Sequence, residues 1–142
     1  MRKIVCCGLL IMFLPTVALA DMEGGCDRLM QANPQPELGN WDGLYKWYTK
    51  ICTTDDGFVA EAYDGVVMDL LTQKWNQLGR LKILTTQNKD FRRLVLEHVS
   101  MTSDRKGLKM ILKNARQHCP DDTAELCQAL MKSAQEGLRN QN

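Results

Sequence analysis

The chain has 142 residues, with 18 lysines and arginines against 17 aspartates and glutamates, two histidines, and a formal net charge of +1. That length makes one ordinary domain with a single core. The near balance of charge makes no electrostatic case for nucleic acid, which is held by clustered basic surface, or for strong steering of small charged substrates.

Arg2 and Lys3, an apolar run from Ile4 to Leu14, Pro15 and the small-residue ending Ala18-Leu19-Ala20 predict a secretory signal peptide over residues 1–20. Cleavage between Ala20 and Asp21 sends the remainder to the periplasm or the medium. It also removes two cations, leaving 16 against 17 acids and a charge of about −1. Cys6 and Cys7 precede most of the apolar run rather than following it, which argues against a lipid anchor. No later stretch approaches the roughly 18 to 20 apolar residues of a membrane helix, so no membrane association is expected after cleavage.

Residues 21–39 carry Gly24, Gly25, Pro34, Pro36 and Gly39, the punctuation of an irregular arm. A helical domain then occupies residues 40–138. Asn40 is placed to cap a helix running to about Cys52, in which Trp41, Leu44, Tyr45, Tyr48, Ile51 and Cys52 share one apolar face. Trp47 falls about 90° from the centre of that face, while Asp42, Lys46, Thr49 and Lys50 lie on the solvent side. Asp55 and Asp56 stand in a polar break, where their carboxylates favour the positive end of the next helix.

From Gly57 to about Trp75 the residues Phe58, Val59, Ala62, Tyr63, Val66, Val67, Leu70 and Leu71 cover more than half the helical circumference, the pattern of a central helix. Glu61, Asp64 and Thr72 form its polar strip. Gly79 is read as a stop or kink before a short segment from Arg80 to Thr86. Asn88 caps a helix that aligns Phe91, Leu94, Val95 and His98 and ends near Met101. Ser103 or Asp104 caps the next, with a stripe of Leu108, Ile111, Leu112, Ala115 and Cys119 that Pro120 ends. Asp121 or Asp122 starts a last helix through Cys127, Leu130, Met131, Ala134 and Leu138, before a polar tail over residues 139–142. No alternating β-branched run supports a sheet. The expected class is all-α, a compact bundle of five to six short helices with two disulfides.

Four cysteines follow the cleavage site, Cys26, Cys52, Cys119 and Cys127, and an even number in an exported chain predicts two disulfides. Three pairings are possible. Cys119 and Cys127 lie eight apart across Pro120, so a local clasp between adjacent helices is the simplest choice, leaving Cys26 for Cys52. Each closure contributes about 2 to 4 kcal/mol by restricting the unfolded chain. Zinc is disfavoured because there is no C-x-x-C spacing, and His98 and His118 do not complete a ligand set.

Trp41-Asp42-Gly43-Leu44-Tyr45, the block from Asp55 to Tyr63, Trp75, the run from Phe91 to His98, Asn114-Ala115 and the element from Cys119 to Cys127 together resemble a family of small exported proteobacterial proteins. The resemblance covers most of residues 40 to 128. It implies immunity proteins that bind a toxin in the periplasm, and it offers no catalytic residues to carry over.

No constellation commits the chain to a chemistry. Asp55, Asp56, Glu61 and Asp64 form the densest acidic patch, and capping with a solvated face explains it better than a general acid–base pair. The patch lacks the alternating ligands and terminal Glu of a calcium loop. His98 sits on an apolar stripe without a nucleophile, as a structural histidine does. Lys89, Arg92, Arg93, Arg105, Lys106, Lys109 and Lys113 form a mildly basic surface that is read as solvated. Trp47 is the candidate partner anchor should it be exposed, flanked by Lys46 and Lys50 and accompanied by Asp55 and Asp56. The expected function is therefore an exported, non-enzymatic binding protein with a protein partner, a toxin or lytic enzyme, and no cofactor or metal. A small periplasmic chaperone is the alternative, and an enzyme the least favoured.

Overall fold

The computed structural model describes Cys26, residues 36–55 and residues 57–142. The segment read as a signal peptide, Asp56 and most of the N-terminal arm lie outside the described residues. Within them the fold is all-α, with six α-helices and no strand: α1 Trp41–Lys46, α2 Gly57–Gln73, α3 Leu78–Gln87, α4 Lys89–Met101, α5 Arg105–Gln117 and α6 Ala124–Asn140.

Local chemistry sets the boundaries. The Asn40 side chain accepts the Gly43 N–H, Asn88 accepts that of Phe91 and Asp104 that of Gly107, each at 2.8 to 2.9 Å, satisfying donors that a helix start leaves unpaired. A 3₁₀ turn, Asp121–Thr123, follows Pro120 and leads into α6. Both disulfides have the expected connectivity, Cys26–Cys52 and Cys119–Cys127.

Several boundaries differ from expectation. The first helix does not run evenly to Cys52: after Lys46 the backbone widens into a π turn, Trp47–Ile51, closed by the Cys52 N–H on the Trp47 carbonyl at 2.8 Å. Gly79 neither stops nor kinks a helix; it is the second residue of α3, because the break falls earlier, at Lys74. The arm is not irregular throughout, since Pro36–Gly39 forms a 3₁₀ turn whose Leu38 is buried in the core. The C-terminal tail is also docked: α6 continues through Asn140, and the Gln141 amide donates to the Thr102 carbonyl at 2.8 Å.

The helices α4, α5 and α6 make the principal packing unit, with α6 lying against both of the others. Arg92 meets Glu125 near the starts of α4 and α6, and Gly137 lies against the Val99 carbonyl near their ends, so these two helices run in the same direction. Helix α2 packs on α4 and α5, and α3 on α4 and α1. The Trp75 indole N–H donates to the His118 carbonyl at 2.9 Å, joining the turn before α3 to the end of α5. Tyr63, Val67, Leu81, Phe91, Val95, Leu108, Ile111 and Leu130 form the centre of the core.

Gly43 shows how closely the N-terminal turn is seated. A β-carbon there would lie 1.5 Å from the Glu37 carbonyl oxygen, a backbone atom that cannot rotate away. Gly43→Ala should therefore destabilise the fold by about 1 to 3 kcal/mol, although alanine is the better helix former at an open position. Denaturant melts check this: a midpoint equal to or above that of the wild type would mean that the turn is not held against α1.

Candidate functional site

The expected partner anchor is corrected. Trp47 is 1% exposed and belongs to the core, so it is not available as a surface contact in the folded chain. The expectation assumed a helix with one buried side. Instead α1 and its π turn are enclosed: Tyr45 meets Phe91 of α4 edge-on at 5.1 Å, Tyr48 meets Tyr63 of α2 at 6.3 Å, and Arg80 of α3 forks onto both oxygens of Asp42. The Arg80 hydrogen bonds hold the Asp42 carboxyl below the usual carboxylate range. Lys46 and Lys50 are exposed as expected, but beside a buried tryptophan. Phe58, assigned from sequence to the apolar face of the central helix, is 77% exposed, because it lies on the side of α2 that carries Glu61, Gly65 and Asp69, away from buried Val59, Tyr63 and Val67.

The strongest convergence of charged side chains is one the sequence did not assemble. His98 on α4 is 2% exposed. Its Nε2 is 3.1 Å from Asp55 Oδ1, across 43 residues, and its Nδ1 is 3.8 Å from Asp64 Oδ1 on α2. The first contact is a hydrogen bond; the second is too long for one and acts as a charge contact. The other Asp64 oxygen accepts the Thr102 hydroxyl at 2.8 Å, and Thr102 in turn accepts the backbone N–H of Asp104. Tyr63 packs its ring beside His98, at 6.2 Å between centroids, and donates its buried hydroxyl to the Cys52 carbonyl. Burial raises the Tyr63 pKa, so the phenol stays protonated and remains a donor.

Burial alone would lower the His98 pKa. The carboxylates of Asp64 and Asp55 act in the opposite sense and win, so the pKa is raised above the ordinary imidazole value. The ring is thereby biased toward its protonated form beside two carboxyl groups, and the contacts tie the Cys52–Asp55 connection to α2 and α4. Nε2 is the nitrogen engaged in a hydrogen bond, and Nδ1 has only the longer contact with Asp64. Asp55 thus hydrogen-bonds His98 while its side chain stays 29% exposed. Its expected companion, Asp56, lies outside the described residues. The sequence expects His98 to be at least partly buried on an apolar stripe, and it is buried, but the pattern does not bring Asp64 and Thr102 to it. The available signal was spacing: Thr102 is one helical turn after His98, and Asp64 follows Tyr63 on a helix that buries it.

An open groove of about 450 Å³ lies elsewhere, between α4 and α6, with Lys89, Arg92, Arg93 and Leu96 on one side and Ser133 and Glu136 on the other. Its arginines are committed within the fold, Arg92 to Glu125 at 3.0 Å and Arg93 to Asp90 at 2.9 Å. Among the described residues no cluster of His, Cys, Asp or Glu has the geometry to hold a metal ion.

These observations define a disulfide-stapled helical domain with a buried histidine held between two partly exposed carboxylates. No helix among the described residues is long and apolar enough to cross a membrane. No family model, curated protein or solved structure matches the chain.

Proposed function

We propose that the protein is an exported binding protein that works without covalent chemistry, an immunity protein or inhibitor that blocks a toxin or lytic enzyme by occupying its active-site cleft. The reading starts from the sequence: the predicted signal peptide and the resemblance to small exported proteobacterial proteins. The observation that carries it is the position of His98. The histidine that meets two carboxylates is enclosed by the core instead of lining the groove, which favours a structural use of this acid–base constellation among the described residues. Two disulfides add to that rigidity and suit an oxidising compartment. A small preorganised framework loses little freedom on binding, which is what a stoichiometric inhibitor needs.

The chaperone alternative requires a fold that opens in mild acid. The His98 clasp works against this, because its contribution is greatest when the ring is protonated. Dye binding and circular dichroism from pH 7 to pH 5 should accordingly report an unchanged fold; exposure of apolar surface in that range would favour the chaperone.

The deciding experiment uses the signal-cleaved protein as bait in periplasmic extract, together with deletion of its gene beside any neighbouring toxin gene. A single stoichiometric partner and a growth defect relieved by deleting the toxin are expected. Finding neither overturns the reading.

A further inference from the structure

The outer face of α5 carries Arg105, Lys106, Lys109, Lys113 and Arg116, all exposed, and the helix has no acidic residue from Arg105 to Gln117. Its opposite side, Gly107, Leu108, Ile111 and Ala115, is buried against the core. Elsewhere Arg80, Lys82, Arg92 and Arg93 each have a carboxylate within 3.6 Å, while Lys46, Lys50, Lys74, Lys89, Lys132 and Arg139 lack one among the described residues but are scattered over several elements. Among the described residues none of the five on α5 has such a partner, and Arg105 reaches only the Asn142 amide oxygen at 3.4 Å.

This arrangement opposes the stability of the helix that bears it. Arg105 with Lys109, and Lys109 with Lys113, are like charges one turn apart at i,i+4, while Lys106 with Lys109 and Lys113 with Arg116 repeat the conflict at i,i+3. Arg105 and Lys106 also stand at the positive end of the helix dipole, where the Asp104 cap is the acid that offsets it and the first turn itself adds none. Repulsion of this kind is relieved when an anionic surface covers the face.

We propose that the outer face of α5 is an electrostatic docking surface for an acidic patch on a protein partner. It rests on the binding-protein reading above and says which face makes the contact. The row from Lys106 to Arg116 extends over about 15 Å of helix, long enough to meet several carboxylates at once. A lipid surface fits less well, because a helix lying in a bilayer interface needs a broad free apolar face. Here the apolar face is buried, and the polar side offers only Met110, 38% exposed.

The test measures binding of the signal-cleaved protein to poly-L-glutamate and to phosphatidylglycerol vesicles, at low and physiological salt. The comparison variants are the triple Lys106→Ala, Lys109→Ala, Lys113→Ala and the control double Lys46→Ala, Lys50→Ala. Wild type and the control should bind poly-L-glutamate alike, and the triple variant should bind it at least about tenfold more weakly. The triple variant should also melt no lower than wild type, since it loses repulsion and keeps its core. Equal binding by wild type and triple variant overturns the proposal, as does binding to the vesicles without binding to poly-L-glutamate. A periplasmic partner captured equally by both leaves the binding-protein reading standing and overturns the α5 surface. Capture of no partner overturns the binding-protein reading itself.

Discussion

Replacing Trp47 with alanine should cost about 3 to 5 kcal/mol of folding stability, the range for removing a large aromatic side chain from a packed core. The indole is 1% exposed and belongs to the core cluster, so its removal opens a cavity within packed side chains. For a domain with a total stability of about 5 to 15 kcal/mol, such a loss removes a large fraction of the margin and lowers the melting temperature by about 15 °C or more. Circular dichroism melts of the oxidised protein check this directly. The same substitution separates the core role of Trp47 from the surface role its helical-wheel position suggested. A core residue lowers stability first and partner binding only through unfolding. If Trp47→Ala melted within about 2 °C of wild type yet lost its partner, the indole would be a contact residue after all.

The difference between those two roles shows what was legible in the chain. Asn40, Asn88 and Asp104 announce helix starts because each side chain satisfies a backbone donor three residues on, a strictly local event. The disulfides were legible for a related reason: Cys119 and Cys127 are close in sequence, and fixing one pair determines the other. Trp47 was misplaced because a wheel presumes a straight α-helix with one partner. Here the backbone passes into a π turn, and neighbours surround it. Phe58 failed in the opposite way: the broad apolar arc includes it, but at 100° per residue it falls with exposed Glu61, Gly65 and Asp69, opposite Val59, Tyr63, Val67 and Leu70. The His98 clasp was beyond local reasoning altogether. It joins Asp55 to a ring 43 residues away, and the sequence marks Asp55 and Asp64 only as acids near a helix start and along a polar strip.

Removing both carboxylates around His98 should reverse the sign of its pH dependence. In the wild type the ring's pKa is raised in the folded state, so between about pH 6.5 and that raised value the folded protein binds more protons than the unfolded chain. The stabilising contribution of His98 is therefore fully present below about pH 6.5 and is lost as pH rises through the folded value. The groups that face the ring are Asp55 from the connection before α2, and Asp64 and Tyr63 from α2 itself. In the double variant Asp55→Asn, Asp64→Asn the side-chain shapes are nearly kept, but only burial still acts on the ring, and burial favours the neutral form. The unfolded chain then binds the extra proton, and stability falls on acidification below about pH 6.5, by at most about 1.4 kcal/mol per pH unit. At pH 5.5 the variant should be less stable than wild type by about 3 kcal/mol, the order expected when a buried charge loses its partners. Urea midpoints from pH 5.5 to 8.5, with His98 followed by NMR in a His118→Gln background, measure both slopes. Opposite signs establish that the carboxylates hold the ring charged, whereas parallel curves would mean that His98 is neutral in the wild-type core and that the clasp is a hydrogen bond without the charge.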